Sequence, residues 1–172
     1  MTGNIISLTG VSCSGKTTAG RLFADSQGYQ FHSMGEYYRE HLQGMPLCQV
    51  DNVLEMHIYD LMSPRDDIVV EGRTTGIIIG DYRDKNTLSL FLDVSLDRQV
   101  ERYLYRSGLT DEQVARAELI AKDAHDQERL LAKYEIDIFD RDNYDHVIDT
   151  SEITVDEVVG QIEHYWRLRC QI

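Results

Sequence analysis

No apolar run in this 172-residue chain is long enough to cross a bilayer, which argues against a helical membrane protein and against a membrane partner. The N-terminus leads directly into a β-branched stretch without the charged, apolar and small-residue zones of a secretory signal, so the expected location is cytoplasmic. Cysteine is scarce: Cys13, Cys48 and Cys170 form an odd, scattered set, which excludes a disulfide scaffold and a thiolate metal site. The 6 histidines show no H-E-x-x-H or comparable spacing, and no zinc site is expected. Only 2 prolines interrupt the chain, and no linker, repeat or low-complexity tract divides it. Positive charge is also in deficit. With 17 Lys and Arg against 30 Asp and Glu, the net charge is −13, and a field of that sign repels a nucleic acid. A small anion remains a suitable ligand wherever arginines gather locally.

What is present begins with Gly10-Val11-Ser12-Cys13-Ser14-Gly15-Lys16-Thr17, a complete G-x-x-x-x-G-K-T phosphate-binding loop. The run Asn4–Thr9 before it reads as a buried strand, and Ala19, Leu22 and Phe23 after it have helical spacing. In that context the glycines let successive backbone N–H groups turn towards phosphate oxygens at a helix N-terminus. Lys16 adds a mobile charge, and the Thr17 hydroxyl is placed for Mg²⁺. The expected nucleotide-binding set is Gly10, Ser12, Cys13, Ser14, Gly15, Lys16, Thr17 and Thr18, with ATP and Mg²⁺ as the ligands. Cys13, among amides at a helix start, is either a small residue filling the loop or a thiol of lowered pKa.

Downstream, residues 29–32 read as a short strand, and Ser33 or Gly35 opens a helix from which Arg39 projects. A helix is expected over Asp51–Met62, ended by Ser63-Pro64. Asp67–Val70 reads as a buried strand that delivers Glu71-Gly72-Arg73 at its C-terminal end, where parallel sheets bind ligands. A carboxylate there suits Mg²⁺ through water, and the arginine suits a phosphate. Leu88–Asp93 is another buried strand, and Ser95 caps a helix over Leu96–Arg106 in which Arg102 and Arg106 share a face. Thr110 with Gln113 reads as a capping box for a long polar helix carrying Lys122, Arg129 and Lys133. Such an arm is either a solvated face or a mobile cover. His146–Asp149 is a last strand, and Thr154 caps an amphipathic helix with Val155, Val158, Val159, Ile162 and Trp166 on its apolar stripe. The alternation of strands and helices predicts an α/β fold with a parallel sheet covered on both faces, within one domain.

Taken in order, these motifs resemble the P-loop nucleoside monophosphate kinases, and most closely the archaeal-type cytidylate kinases. The likeness runs through Ser33-x-Gly35-Glu36-x-x-Arg39-Glu40, Val69-Val70-Glu71-Gly72-Arg73 and Glu101-Arg102-x-x-x-Arg106. It continues through Arg129 and Tyr134-Glu135-Ile136-Asp137 to Tyr144-Asp145-x-Val147-Ile148-Asp149-Thr150-Ser151. The resemblance implies a three-layer α/β/α core, about 1–106 and 140–172, with a helical lid at about 107–139. It implies transfer of the ATP γ-phosphoryl group to a nucleoside monophosphate, CMP or dCMP, by a monomer. Arg39 and Arg73 then hold the acceptor phosphate, and Arg102 and Arg106 flank the donor. Lys16, Arg73, Arg106 and Arg129 form the catalytic cation set, and Thr17 with Glu71 the Mg²⁺ site. Asp51, with Gln49 and Asn52, is the expected reader of the acceptor base. Lys122 stands where relatives more often carry arginine, Tyr134-Glu135 replaces their Tyr-Gly, and the 45–66 segment is shorter than theirs. Two alternatives stay open: a small P-loop kinase acting on a shikimate- or gluconate-like acceptor, and a nucleotide-binding protein without transfer.

Overall fold

The computed structural model describes residues 3–63, 66–80, 84 and 86–170. Pro64, expected to end the third helix, lies outside the described residues. The chain runs β1 (Ile5–Gly10), α1 (Lys16–Gln27), β2 (Gln30–Ser33), α2 (Met34–Tyr37) and a π-helical turn (Tyr38–Leu42). It continues through α3 (Leu47–Met62), β3 (Ile68–Glu71), α4 (Thr75–Gly80), β4 (Thr87–Asp93), α5 (Leu96–Ser107) and α6 (Glu112–Tyr134). A 3₁₀ turn (Arg141–Asn143), β5 (His146–Asp149) and α7 (Val155–Cys170) complete it.

The strands form one sheet in the order β2-β3-β1-β4-β5, and every pairing is parallel. β1 is central and buried along its whole length, as its run of β-branched and apolar residues requires. Leu8 pairs with Glu71 and Gly10 with Leu92, so the C-terminal ends of β1, β3 and β4 reach the same edge. The connection from β1 runs to β2 on one side and that from adjacent β3 runs to β4 on the other, which opens a crevice between their ends. On one face Ile6, Leu8, Val69, Leu90 and Ile148 pack against Phe23 of α1 and against Ile162 and Trp166 of α7. On the other, Ile5, Ile68 and Val70 pack against Ile58 and Met62 of α3 and Ile78 and Ile79 of α4. The result is the three-layer α/β/α arrangement expected from the alternation.

Several element ends differ from the sequence reading. α3 starts at Leu47, four residues before the expected Asp51, with Pro46 as its N-cap, a position where the missing N–H forfeits no helical hydrogen bond. α6 is capped by Asp111 rather than Thr110: its carboxylate accepts from the amides of Gln113 at 2.9 Å and Val114 at 3.1 Å. Ionised, that group also complements the helix dipole, which a threonine cannot do. Thr154 does cap α7, with Glu157 donating its amide to the hydroxyl and returning a carboxylate to the Thr154 amide at 2.7 Å. Val100 of α5 with Ala115 and Leu119 of α6 forms a separate small core that fastens the long arm to the body.

α4 sits close against the sheet through Gly76, where an added Cβ would lie 2.5 Å from the Tyr144 ring and 2.7 Å from Ser89 Oγ. Gly160, in the middle of α7, has nothing within 4 Å of that position. Gly76→Ala is expected to cost about 1–3 kcal/mol by overpacking. Gly160→Ala is expected to stabilise by about 0.5–1 kcal/mol by restricting the unfolded chain. Urea midpoints of the two variants check both signs.

Candidate functional site

The loop between β1 and α1 owes its curl to positive φ angles at Gly10 (+146°), Cys13 (+59°) and Gly15 (+89°). At Gly10 a side chain is impossible, since a Cβ would stand 2.1 Å from the Leu92 carbonyl oxygen of the adjacent strand. Ser14 is fully buried and donates to the Val11 carbonyl at 3.0 Å, which closes the curl from inside. Gly15 and Thr18 are exposed, the latter in the first turn of α1.

Lys16 folds back over the loop, donating to the carbonyls of Gly10 at 3.0 Å and Val11 at 2.7 Å. Burial pushes its pKa down to about 8, with Arg73 adding to the fall and Glu71 and Asp123 opposing it. Thr17 donates to Glu71 at 2.9 Å, and Ser33 donates to the same carboxylate oxygen. Ser33 in turn caps α2 by accepting the Glu36 amide at 3.1 Å. Glu71 therefore touches both the loop and the helix that leads to Arg39. A hydroxyl and a carboxylate side by side, at a loop built for phosphates, fit a hard divalent cation with several retained waters.

Arg73 crosses the crevice. Its Nη2 donates to Ser12 Oγ at 2.7 Å and to Asp123 at 2.6 Å, with Asp126 at 3.4 Å. Its guanidinium carbon lies 5.7 Å from the Phe139 ring centre. Arg129 donates to Asp126 at 2.8 Å and to Asp51 of α3. One turn further along both helices, Lys133 pairs with Glu55 at 2.7 Å, so α6 is laddered onto α3. Arg73 Nη1 and Arg129 Nε are buried and have no hydrogen-bond partner among the described residues. Orphaned buried donors on two neighbouring guanidinium groups fit an anionic ligand. The ammonium of Lys122, on the same arm, is held below its usual range by burial and then by the Arg73 charge.

On the far side of the loop Arg102 donates to the Cys13 carbonyl at 3.1 Å and to the Thr150 carbonyl at 2.6 Å. Thr150 donates to the Ser14 carbonyl at 3.1 Å. Buried Gln99 donates to the Ser12 carbonyl at 2.8 Å.

The structure thus gathers Lys16, Thr17, Glu71, Arg73 and Arg129 in one crevice, with Arg102 supporting the loop. Arg106 is not drawn in: it is exposed and stacks on Tyr103 of its own helix at 5.6 Å. Arg39 is exposed on the π-helical turn, and among the described residues no contact joins it to Arg73. That turn is braced by Tyr37, whose ring stacks on His57 at 4.0 Å. Asp51 is engaged with Arg129, whereas Gln49 and Asn52 are exposed on α3. Gln99, Asp123 and Asp126 also belong to the site, although none of its sequence motifs contains them. The signal was available: Asp123 and Asp126 lie between Lys122 and Arg129, at spacings that put all four near one helix face.

Residues 43–152 match the model of the cytidylate kinase-like family. The chain belongs to that family. The matched stretch begins after the phosphate loop, so membership does not rest on the loop motif. A cytidylate kinase of Natronomonas pharaonis is 30% identical over 92% of this chain and 87% of that protein. Among solved structures, an uncharacterized protein of Eubacterium ventriosum aligns with a TM-score of 0.78 at 19% identity, covering 95% of this chain and 98% of that one. A shikimate kinase of Bacteroides thetaiotaomicron aligns with a TM-score of 0.63 at 15% identity, over 95% of this chain and 98% of its own. These solved structures share the fold. Family and fold together make this chain a P-loop kinase with ATP-dependent phosphotransfer as its chemistry. No described helix is long and apolar enough to cross a membrane.

The lowered Lys16 pKa carries a stability consequence of known sign. Between about pH 8 and 10.5 the unfolded chain keeps this proton and the folded chain has lost it, so stability rises with pH across that window. The full burial cost below pH 8 is on the order of 3 kcal/mol. Comparing Lys16→Met with the unaltered protein by urea unfolding isolates it. The stability difference should shift in favour of the unaltered protein as pH rises from 7 to 10, and a difference independent of pH would contradict the assignment.

Proposed function

We propose that this protein transfers the γ-phosphoryl group of ATP to a nucleoside monophosphate, with CMP or dCMP as the preferred acceptor. The observation that carries this reading is Arg73: it bridges from the acceptor side of the crevice to Ser12 of the phosphate loop and keeps a buried donor without a partner. Phosphoryl transfer through a loose transition state needs alignment and charge neutralisation above all, and an anionic acceptor needs no general base. In this reading Lys16 exchanges the carbonyls of Gly10 and Val11 for phosphate oxygens. Arg73 holds the acceptor phosphate in line with them, and Arg129 turns from Asp51 and Asp126 to the transferring group. Arg102 and Gln99 keep the loop carbonyls pointing away from the phosphates and its amides towards them. Thr17 and Glu71 would hold Mg²⁺, which supplies charge neutralisation on the donor phosphates. Residues 107–139, chiefly α6, act as the lid, since their polar contacts with α3 and with Arg73 are mainly ion pairs that water can replace on opening. Arg39 joins the acceptor phosphate when the π-helical turn moves inward, and Arg106 approaches the donor when the arm closes. The chain works as a monomer in the cytoplasm.

The cytidylate preference is supported by the relatives' names and by the 45–66 segment, shorter than the resemblance implies for relatives, which supplies fewer residues to wrap a purine. ADP formation measured with CMP, dCMP, UMP, AMP, GMP, shikimate and gluconate tests it. CMP or dCMP should lead AMP and GMP by at least about tenfold in kcat/KM, a difference of roughly 1.4 kcal/mol. Turnover of shikimate or gluconate with none of the monophosphates would replace this reading with a hydroxyl-acceptor kinase. Arg73→Lys, which loses the two-pronged guanidinium geometry, should raise the acceptor KM about tenfold or more with the ATP KM within about twofold. Equal effects on both substrates would move Arg73 out of the acceptor site.

A further inference from the structure

Asp123 closes a ring of polar contacts that no requirement of phosphoryl transfer explains. Arg73 Nη2 donates at 2.7 Å to Ser12 Oγ and at 2.6 Å to Asp123 Oδ1. Gln99 Nε2 donates at 2.8 Å to the Ser12 carbonyl and at 3.4 Å to Asp123 Oδ2. Gln99 is only 4% exposed, so a buried amide fixes where the carboxylate stands. Asp126 also approaches Arg73, at 3.4 Å, but it is drawn more closely to Arg129, at 2.8 Å. Arg73 in the resting protein is therefore already bound to an anion, and that anion belongs to the chain.

We propose that Asp123 is a specificity-determining residue: an internal carboxylate on the acceptor arginine that admits phosphomonoester dianions and rejects carboxylates. The proposal rests on the reading of Arg73 as the acceptor-phosphate residue. A carboxylate ligand arriving at Arg73 exchanges one single negative charge for another, so even where its second oxygen reaches Nη1 it brings no added charge to offset the entropy of association. A phosphomonoester above its second pKa of about 6 brings nearly two charges and three acceptor oxygens. It satisfies Nη2 and also reaches the buried, unpartnered Nη1. The other cations around it are arranged alike: Arg129 faces Asp51 and Asp126, and Lys16 lies within the fields of Glu71 and Asp123. An entering anion must therefore displace a carboxylate already in place, and only one of higher charge does so with net gain. The same exchange frees Asp123 from Arg73, so acceptor phosphate binding and movement of α6 are linked.

The test is equilibrium binding without turnover. The full chain, labelled with ¹⁵N, is titrated with methyl phosphate and with acetate, and dissociation constants are read from the Gly72 and Arg73 amide shifts. At pH 7.5 the unaltered protein should prefer methyl phosphate by at least about tenfold, and the preference should fall as pH drops from 7.5 to 5.5 and the dianion is protonated. Asp123→Asn and Asp123→Ser should reduce the preference to about twofold by tightening acetate most, with far-UV circular dichroism showing that both remain folded. Equal binding of the two anions by the unaltered protein overturns the proposal. So does a preference that folded variants leave unchanged. Should both variants fail to fold, the wild-type pH series decides, and a preference constant from pH 7.5 to 5.5 overturns it. Absence of ADP formation from every monophosphate would instead remove the kinase reading and leave these binding ratios standing.

Discussion

Buried cations need counter-charge, and the crevice at the C-terminal edge of this sheet is organised by that need. Lys16, Arg73 and Arg129 are partly withdrawn from water, and each is held by groups of the chain: loop carbonyls, Asp123, and Asp51 with Asp126. Removing one partner of such a pair is costly, because the remaining charge stays desolvated. Exchanging the partner for a phosphate is not, since the charge stays satisfied throughout. The resting contacts can therefore be read as stand-ins for ligand oxygens. They satisfy the buried cations in the resting chain, and under the proposed function they mark the positions that substrate oxygens take.

That arrangement depends on the sheet. β1 stands between β3 and β4, so the phosphate loop, Glu71 and Arg73 leave neighbouring strand ends within a few residues of one another. α5 and α6 then bring Gln99, Arg102 and the acidic stretch of the arm against the loop from the other side. Because Glu71 bonds both Thr17 and Ser33, one carboxylate joins the phosphate loop to the cap of the helix preceding Arg39.

Much of this could be read from the residues. The phosphate loop, the strands that end in Glu71-Gly72-Arg73 and in Asp93, and the parallel three-layer architecture follow from period, capping and motif. The start of α3 and the cap of α6 were misplaced, since Pro46 and Asp111 compete with nearby residues of similar propensity. α4 passed unnoticed because Ile77, Ile78 and Ile79 in a six-residue element carry no helical period. The carboxylate partners of the cations were equally hidden. A glutamate or aspartate on a polar arm reads as solvated until the fold shows which arginine it meets, and the same holds for the exposure of Arg39 and Arg106. Long-range pairing is tertiary information, and no local pattern encodes it.

Under the proposed function, the chain's own oxygens on Lys16, Arg73 and Arg129 give way to phosphate oxygens of two substrates bound in line. The most direct measurement is a crystal structure with Mg²⁺ and a bisubstrate analogue joining adenosine and cytidine through five phosphates. In that complex Lys16 Nζ is expected to be lifted from the Gly10 and Val11 carbonyls, with Arg73 and Arg129 on phosphates at the cytidine end and Asp123 released from Arg73. A complex in which the analogue's phosphates fill the loop while Arg73 keeps Asp123 and Arg129 keeps Asp51 would contradict it.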